Sequence, residues 1–93
     1  MVTTADRLRE DLRRALAAEH VEVEDESALH RGHAGAAEGG HYSATVVTTR
    51  FAGLDPLARH RAVYAALGDL AGRGIHALAL TTYTPDEWRR AHE

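Results

Sequence analysis

The 93-residue chain contains no cysteine. That excludes a disulfide scaffold, a thiolate nucleophile and any metal site built from the chain's own thiolates. Lysine is absent as well. All 11 basic side chains are arginine, set against 14 acidic ones for a formal net charge of −3. Strong nonspecific nucleic-acid binders carry a basic surplus, and this chain has none. No apolar run approaches the roughly 20 residues of a membrane span. Residues Met1 to Arg14 are charged and lack the apolar stretch of a secretory signal. The sequence alone therefore predicts a cytoplasmic protein with no membrane partner. Nucleophile elbows, phosphate loops and dinucleotide fingerprints are missing too. Ser27 and Ser43 have no triad context, and the paired carboxylates Asp25 and Glu26 sit in a solvated acidic run. The expectation is that the protein is not an enzyme.

What is present is a small domain's worth of pattern. The chain is 44% hydrophobic, which suits one packed unit over residues 1–93 and leaves no room for a second. Thr3 and Asp6 read as a capping box. Leu8, Leu12 and Leu16 then recur every four residues, so an amphipathic helix of about 14 residues is predicted, ending near Glu19 or His20. Val21 to Glu24 alternates as a short strand. His41 to Phe51, rich in Tyr, Val and Thr, is a second strand that should pair antiparallel with the first. Proline occurs only at positions 56 and 85, each just inside a predicted helix start, after Asp55 and after Thr84. The helix from Pro56 should run to Ala71 and end at Gly72-Arg73-Gly74, burying Leu57, His60, Val63, Tyr64, Leu67, Leu70 and Ala71. Ile75 to Thr82 is the third strand, with His76, Leu78 and Leu80 on one face, and a short helix carrying Trp88 follows. The fold class is thus α+β, of order αββαβα, with a three-stranded mixed sheet covered by helices on one face.

Seven histidines are the unusual feature. Imidazole is the commonest metal ligand. His30 and His33 stand three apart in a glycine-rich stretch between the first two strands, where ligands can adjust to a metal, and His41 could join them. The plain alternative is a solvated polar loop. His76 opens the third strand beside leucines, a setting that also suits a core histidine with one hydrogen bond. Arg59 and Arg61 straddle the helix stripe, and a solvated flank is their simplest reading.

Several stretches together resemble the BolA family. They are Glu26-Ser27 ahead of a histidine-bearing loop, His41-Tyr42, Arg50-Phe51-Ala52-Gly53-Leu54, Arg59-His60-Arg61-Ala62-Val63-Tyr64, Ile75-His76-Ala77-Leu78-Ala79-Leu80, and Thr84-Pro85-Asp86-Glu87-Trp88. The likeness covers about residues 4–90 and implies a fold like a type II KH domain. It also implies a monothiol glutaredoxin as partner, with a bridging [2Fe-2S] cluster shared between them. Glutaredoxin and glutathione would supply thiolates. This chain would supply His76 and one loop residue. Without cysteine it would be of the histidine type, with His30 at the usual loop position and His33 as the second candidate. Two thiolates on one iron and two imidazoles on the other is a Rieske-like split, which raises the reduction potential. Imidazole must be neutral to bind, so acid should weaken such a complex. The role implied is cluster assembly or trafficking, or iron regulation. Some family members are implied to bind DNA and regulate stress and morphology genes, for which Arg59, Arg61 and Arg73 would be the contacts here. A third possibility is a stand-alone metal carrier using His30, His33 and His41.

Overall fold

The computed structural model describes residues 2–27 and 40–93. Helix α1 (Thr4–Ala15) begins as expected: Thr3 Oγ1 accepts from the Asp6 N–H, and the Asp6 carboxylate accepts from the Thr3 N–H. It stops several residues earlier than the periodicity predicts. Ala17 takes a left-handed φ of 49°, and the Ala18 N–H closes back on the Arg13 carbonyl, as in a Schellman-type end. The chain is thereby turned into β1 (His20–Asp25), which pairs antiparallel with β2 (Gly40–Val47). Strand β3 (Ile75–Tyr83) runs parallel to β2 on its other side, so the sheet order is β1-β2-β3.

β2 ends at Val47, four residues short of the predicted strand. Thr48 is the reason. Its side chain is fully buried, its Oγ1 donates to the Leu16 carbonyl at 2.7 Å, and the same oxygen accepts from the Arg50 N–H. Thr48 thus caps a 3-10 turn (Thr49–Phe51) that drives Phe51 into the core. Asp55 then caps α2 (Pro56–Leu67), with Pro56 in its first turn. This helix ends at Gly68, not at Gly72. Gly68 has φ 73°, a region that costs glycine little and other residues much. Residues Ala71–Arg73 form a separate 3-10 turn before β3. The early stop also corrects the predicted buried stripe: Val63 and Leu67 are buried, whereas Leu57 and Tyr64 are 59% and 40% exposed.

The core lies between the sheet and the helices α1 and α2. Leu8, Leu12 and Leu16 meet Val21, Tyr42, Ala44, Val46, Phe51, Val63, Leu67 and Ile75, with Leu78 and Leu80 at the margin. Helix α3 (Pro85–Ala91) departs from the predicted one-face layout. Its Trp88 meets Tyr83 edge to face and His20 at a tilt, with ring centroids 5.4 and 4.8 Å away. Both residues pair with Val47, and all three alternate with the core-facing Val21 and Val46. They therefore lie on the opposite face, which α3 closes at one end. Two helices on one face and one on the other satisfy the same need: a three-stranded sheet cannot bury both faces by itself.

Candidate functional site

The start of β3 carries the most informative irregularity in the sheet. Gly40 pairs with Ile75, but His41 pairs with Ala77, so His76 has no residue opposite it on β2. Ile75 is 3% exposed, and Leu78 packs at the core margin. Placing both on the core side requires an extra residue, because side chains alternate along a strand. His76 is that residue. A bulge of this kind re-aims a side chain, and His76 is exposed instead of sharing a face with Leu78 and Leu80. The expectation that it lies beside those leucines is corrected by this bulge.

His41 comes next to it. The two imidazole rings are 5.1 Å apart between centroids and tilted by 47°. His41 is half-buried and held by backbone bonds on both sides: its N–H donates to Ser27 Oγ at 3.0 Å, and its carbonyl accepts from the Glu26 N–H at 2.7 Å. The Gly40 N–H donates to the Gly74 carbonyl at 2.8 Å. Residues 28–39, which include His30 and His33, lie outside the described residues. Their two flanks are nevertheless fixed. Ser27 and Gly40 are both tied to this same end of the sheet, and Ser27 is further held by an N–H bond to the Asp25 carboxylate; the Ser27 hydroxyl, with help from that N–H, lowers the Asp25 pKa. Among the described residues no group of three or more metal-ligating side chains is present. The described part of the site is therefore a pair of imidazoles.

The arginines read as solvated or as phosphate contacts turn out to be mostly engaged within the fold. Arg73 donates to the Leu67 carbonyl and to Asp11 of α1 at 2.8 Å. Arg59 is only 12% exposed; it donates to Glu87 at 2.6 Å, to the Leu54 carbonyl, and to the Thr82 carbonyl at 3.5 Å. Arg61 remains exposed and, among the described residues, forms no ion pair. His60 is half-buried on α2. No sequence spacing announced the Arg59–Glu87 contact, which spans 28 residues.

This contact ties α2 to α3. Glu87 also completes the capping box of α3 by accepting from the Thr84 N–H at 2.7 Å. The Arg59 guanidinium, with help from that N–H, holds the Glu87 pKa down from its ordinary 4.5 to about 2. A depressed carboxylate contributes stability above its unfolded pKa and loses it as the pH falls through the folded one. Glu87→Gln is therefore expected to lower the urea midpoint at neutral pH, and the deficit should shrink as the pH drops from 4.5 towards 2. Trp88 fluorescence during urea titration measures both. An offset that stays constant with pH would contradict the assignment.

Residues 12–87 match the protein family described as BolA-like protein. The chain belongs to the BolA-like family. Its relatives include the human BolA-like protein 1, 43% identical over 82 residues that cover 88% of this chain and 58% of the human protein. A Vibrio cholerae protein named DNA-binding transcriptional regulator BolA is 44% identical over 75 residues, covering 81% of this chain and 69% of that protein. The chain thus spans less than two thirds of the human relative's length. Among solved structures, the BolA domain of SufE1 from Arabidopsis thaliana superposes with a TM-score of 0.79 at 37% identity, covering 94% of this chain and 98% of that one. The BolA-like fold places the His41–His76 pair at one end of the sheet and the Trp88 contacts at the other. No helix of the described residues is long and apolar enough to cross a membrane.

Proposed function

We propose that this BolA-like protein is an adaptor that binds a monothiol glutaredoxin and shares a bridging [2Fe-2S] cluster with it, in cluster assembly and trafficking or in iron regulation. His76 is one ligand on this side, and His30 or His33 is the other. The observation that carries the reading is the exposure of His76 by the bulge, at the sheet end where both flanks of the histidine-bearing segment are anchored. The donor chemistry fits. Imidazole suits iron, and a chain without cysteine must draw any thiolate ligands from a partner. When bound, the cluster supplies one-electron chemistry and a transferable unit of iron and sulfide. His41 limits how far the His76 ring can turn, because its own backbone is held on both sides. It is a positioning residue and the third ligand candidate.

The test is reconstitution. The chain is mixed with a monothiol glutaredoxin, glutathione, iron and sulfide, and visible absorbance and circular dichroism are recorded. A new spectrum that needs both proteins supports the proposal. Unchanged spectra on adding this chain would refute it. If equilibrium dialysis instead finds tight, stoichiometric zinc, copper or nickel on the chain alone, a stand-alone carrier using His30, His33 and His41 replaces it.

A second reading rests on the name of the Vibrio cholerae relative, DNA-binding transcriptional regulator. For this chain Arg61 is the available contact, since Arg59 and Arg73 are committed to Glu87 and Asp11. True phosphate contacts give binding that falls steeply with salt. With so few free cations and a net charge of −3, the expected fluorescence-anisotropy result is weak binding with a shallow salt slope. Tight binding with a steep slope that Arg61→Ala flattens would favour the DNA reading.

A further inference from the structure

An open groove of about 560 Å³ runs between the first turns of α1 and the segment that joins α2 to β3. That size falls within the range of small-ligand sites. Leu8 and Leu67, both buried, give it an apolar floor. Its two walls are braced against each other. Arg73 Nη1 donates to the Asp11 carboxylate of α1 at 2.8 Å, while Arg73 Nε donates to the Leu67 carbonyl at 2.6 Å. A second pair of opposite charges lines the groove and stays apart. Arg7 lies one helical turn before Asp11 on the same face of α1, and Asp69 belongs to the other wall. Neither side chain has a hydrogen bond or ion pair among the described residues. The Asp69 carboxylate takes its place because residue 72 is a glycine. Its Oδ2 lies only 2.7 Å from where a Cβ on that residue would stand.

We infer that this groove binds a small zwitterion with an apolar side chain, the chemistry of a free α-amino acid. The ammonium sits on Asp69, the carboxylate on Arg7, and the side chain over Leu8 and Leu67. Opposite charges that flank an apolar floor without meeting match a ligand that carries both charges. A simple anion would also meet the carboxylates of Asp11 and Asp69, and a simple cation would meet the guanidinium groups of Arg7 and Arg73. Like charges repel at such range, so neither is favoured. The inference stands apart from cluster binding, since it uses no histidine and none of residues 28–39.

The experiment titrates the isotope-labelled chain with L-leucine and follows its amide chemical shifts by nuclear magnetic resonance. Saturable shifts are expected at Arg7, Leu8, Asp69 and Gly72, with a dissociation constant in the roughly millimolar range that suits so small a ligand. N-acetylleucine lacks the ammonium and leucine amide lacks the carboxylate. Each should bind about tenfold more weakly, the loss of one charge-assisted contact. Asp69→Asn and Arg7→Gln should weaken leucine to the same extent. Gly72→Ala keeps every charge but pushes the Asp69 carboxylate aside, and it should weaken leucine as well. Far-ultraviolet circular dichroism shows that the variants are folded. A parent without saturable shifts up to the solubility limit of leucine overturns the inference. Equal affinity for leucine and both of its one-charge analogues does so too, as does binding that Asp69→Asn and Arg7→Gln leave unchanged.

Discussion

Alanine at position 76 is expected to reduce the reconstituted spectrum to that of the glutaredoxin mixture without this chain. His76 is the one strand histidine that the bulge turns outward, and no other described residue replaces its imidazole at that position. Under the proposed ligation, losing one of two ligands from this side would leave an iron with an open site, a much larger effect than losing a surrounding contact. The fold should be indifferent to the change. The side chain is exposed and has no register partner on β2, only the tilted contact with the His41 ring, and exposed substitutions of this kind stay within about 0.5 kcal/mol. His41→Ala should give an intermediate result, because it loosens the neighbouring ring without removing the ligand. His30→Ala and His33→Ala, made separately, identify the loop ligand. If His76→Ala retains the parent spectrum, the ligand assignment is wrong.

Phe51→Ala should be the most damaging single change to stability. Phe51 is fully buried and belongs to the set that joins the sheet to both core helices. Truncating a buried phenylalanine costs about 3–5 kcal/mol through lost transfer energy and the cavity left behind. Here a further contact goes with it. The Arg59 guanidinium lies 5.8 Å from the Phe51 ring centroid, and Arg59 is the residue that holds Glu87 and the Thr82 carbonyl. A loosened Arg59 should therefore weaken the seating of α3 as well. Urea denaturation followed by Trp88 fluorescence measures the total. A loss below about 1 kcal/mol, the ordinary level for an unexceptional substitution, would mean that the 3-10 turn does not anchor the core.

The helix starts were the most legible part of the sequence. Thr3, Asp55 and Thr84 each cap where the pattern places them, and two of the three carry a reciprocal carboxylate. Capping is chemistry between residues three apart, so it survives without knowledge of the fold. Helix and strand ends were read less well. α2 stops at Gly68 and not at Gly72, and β2 stops at a threonine that looks like any other strand residue. Thr48 is exceptional only because the Leu16 carbonyl, 32 positions away, lies under it. Leu57 and Tyr64 are exposed against expectation for a related reason: an apolar residue on a helix does not reveal which side the sheet will occupy.

Composition and local pattern settled what kind of molecule this is. The missing cysteine, the capping residues, the strand-like stretches and the family motifs determine a small α+β domain of the BolA-like family that is rich in histidine. Only the folded chain decided how those histidines are presented. Parallel pairing of β2 with β3 sets His41 beside His76, and the need to bury both Ile75 and Leu78 forces the bulge that turns His76 to solvent. Strand register is a long-range property, governed by which side chains share one core, and no spacing within either strand encodes it.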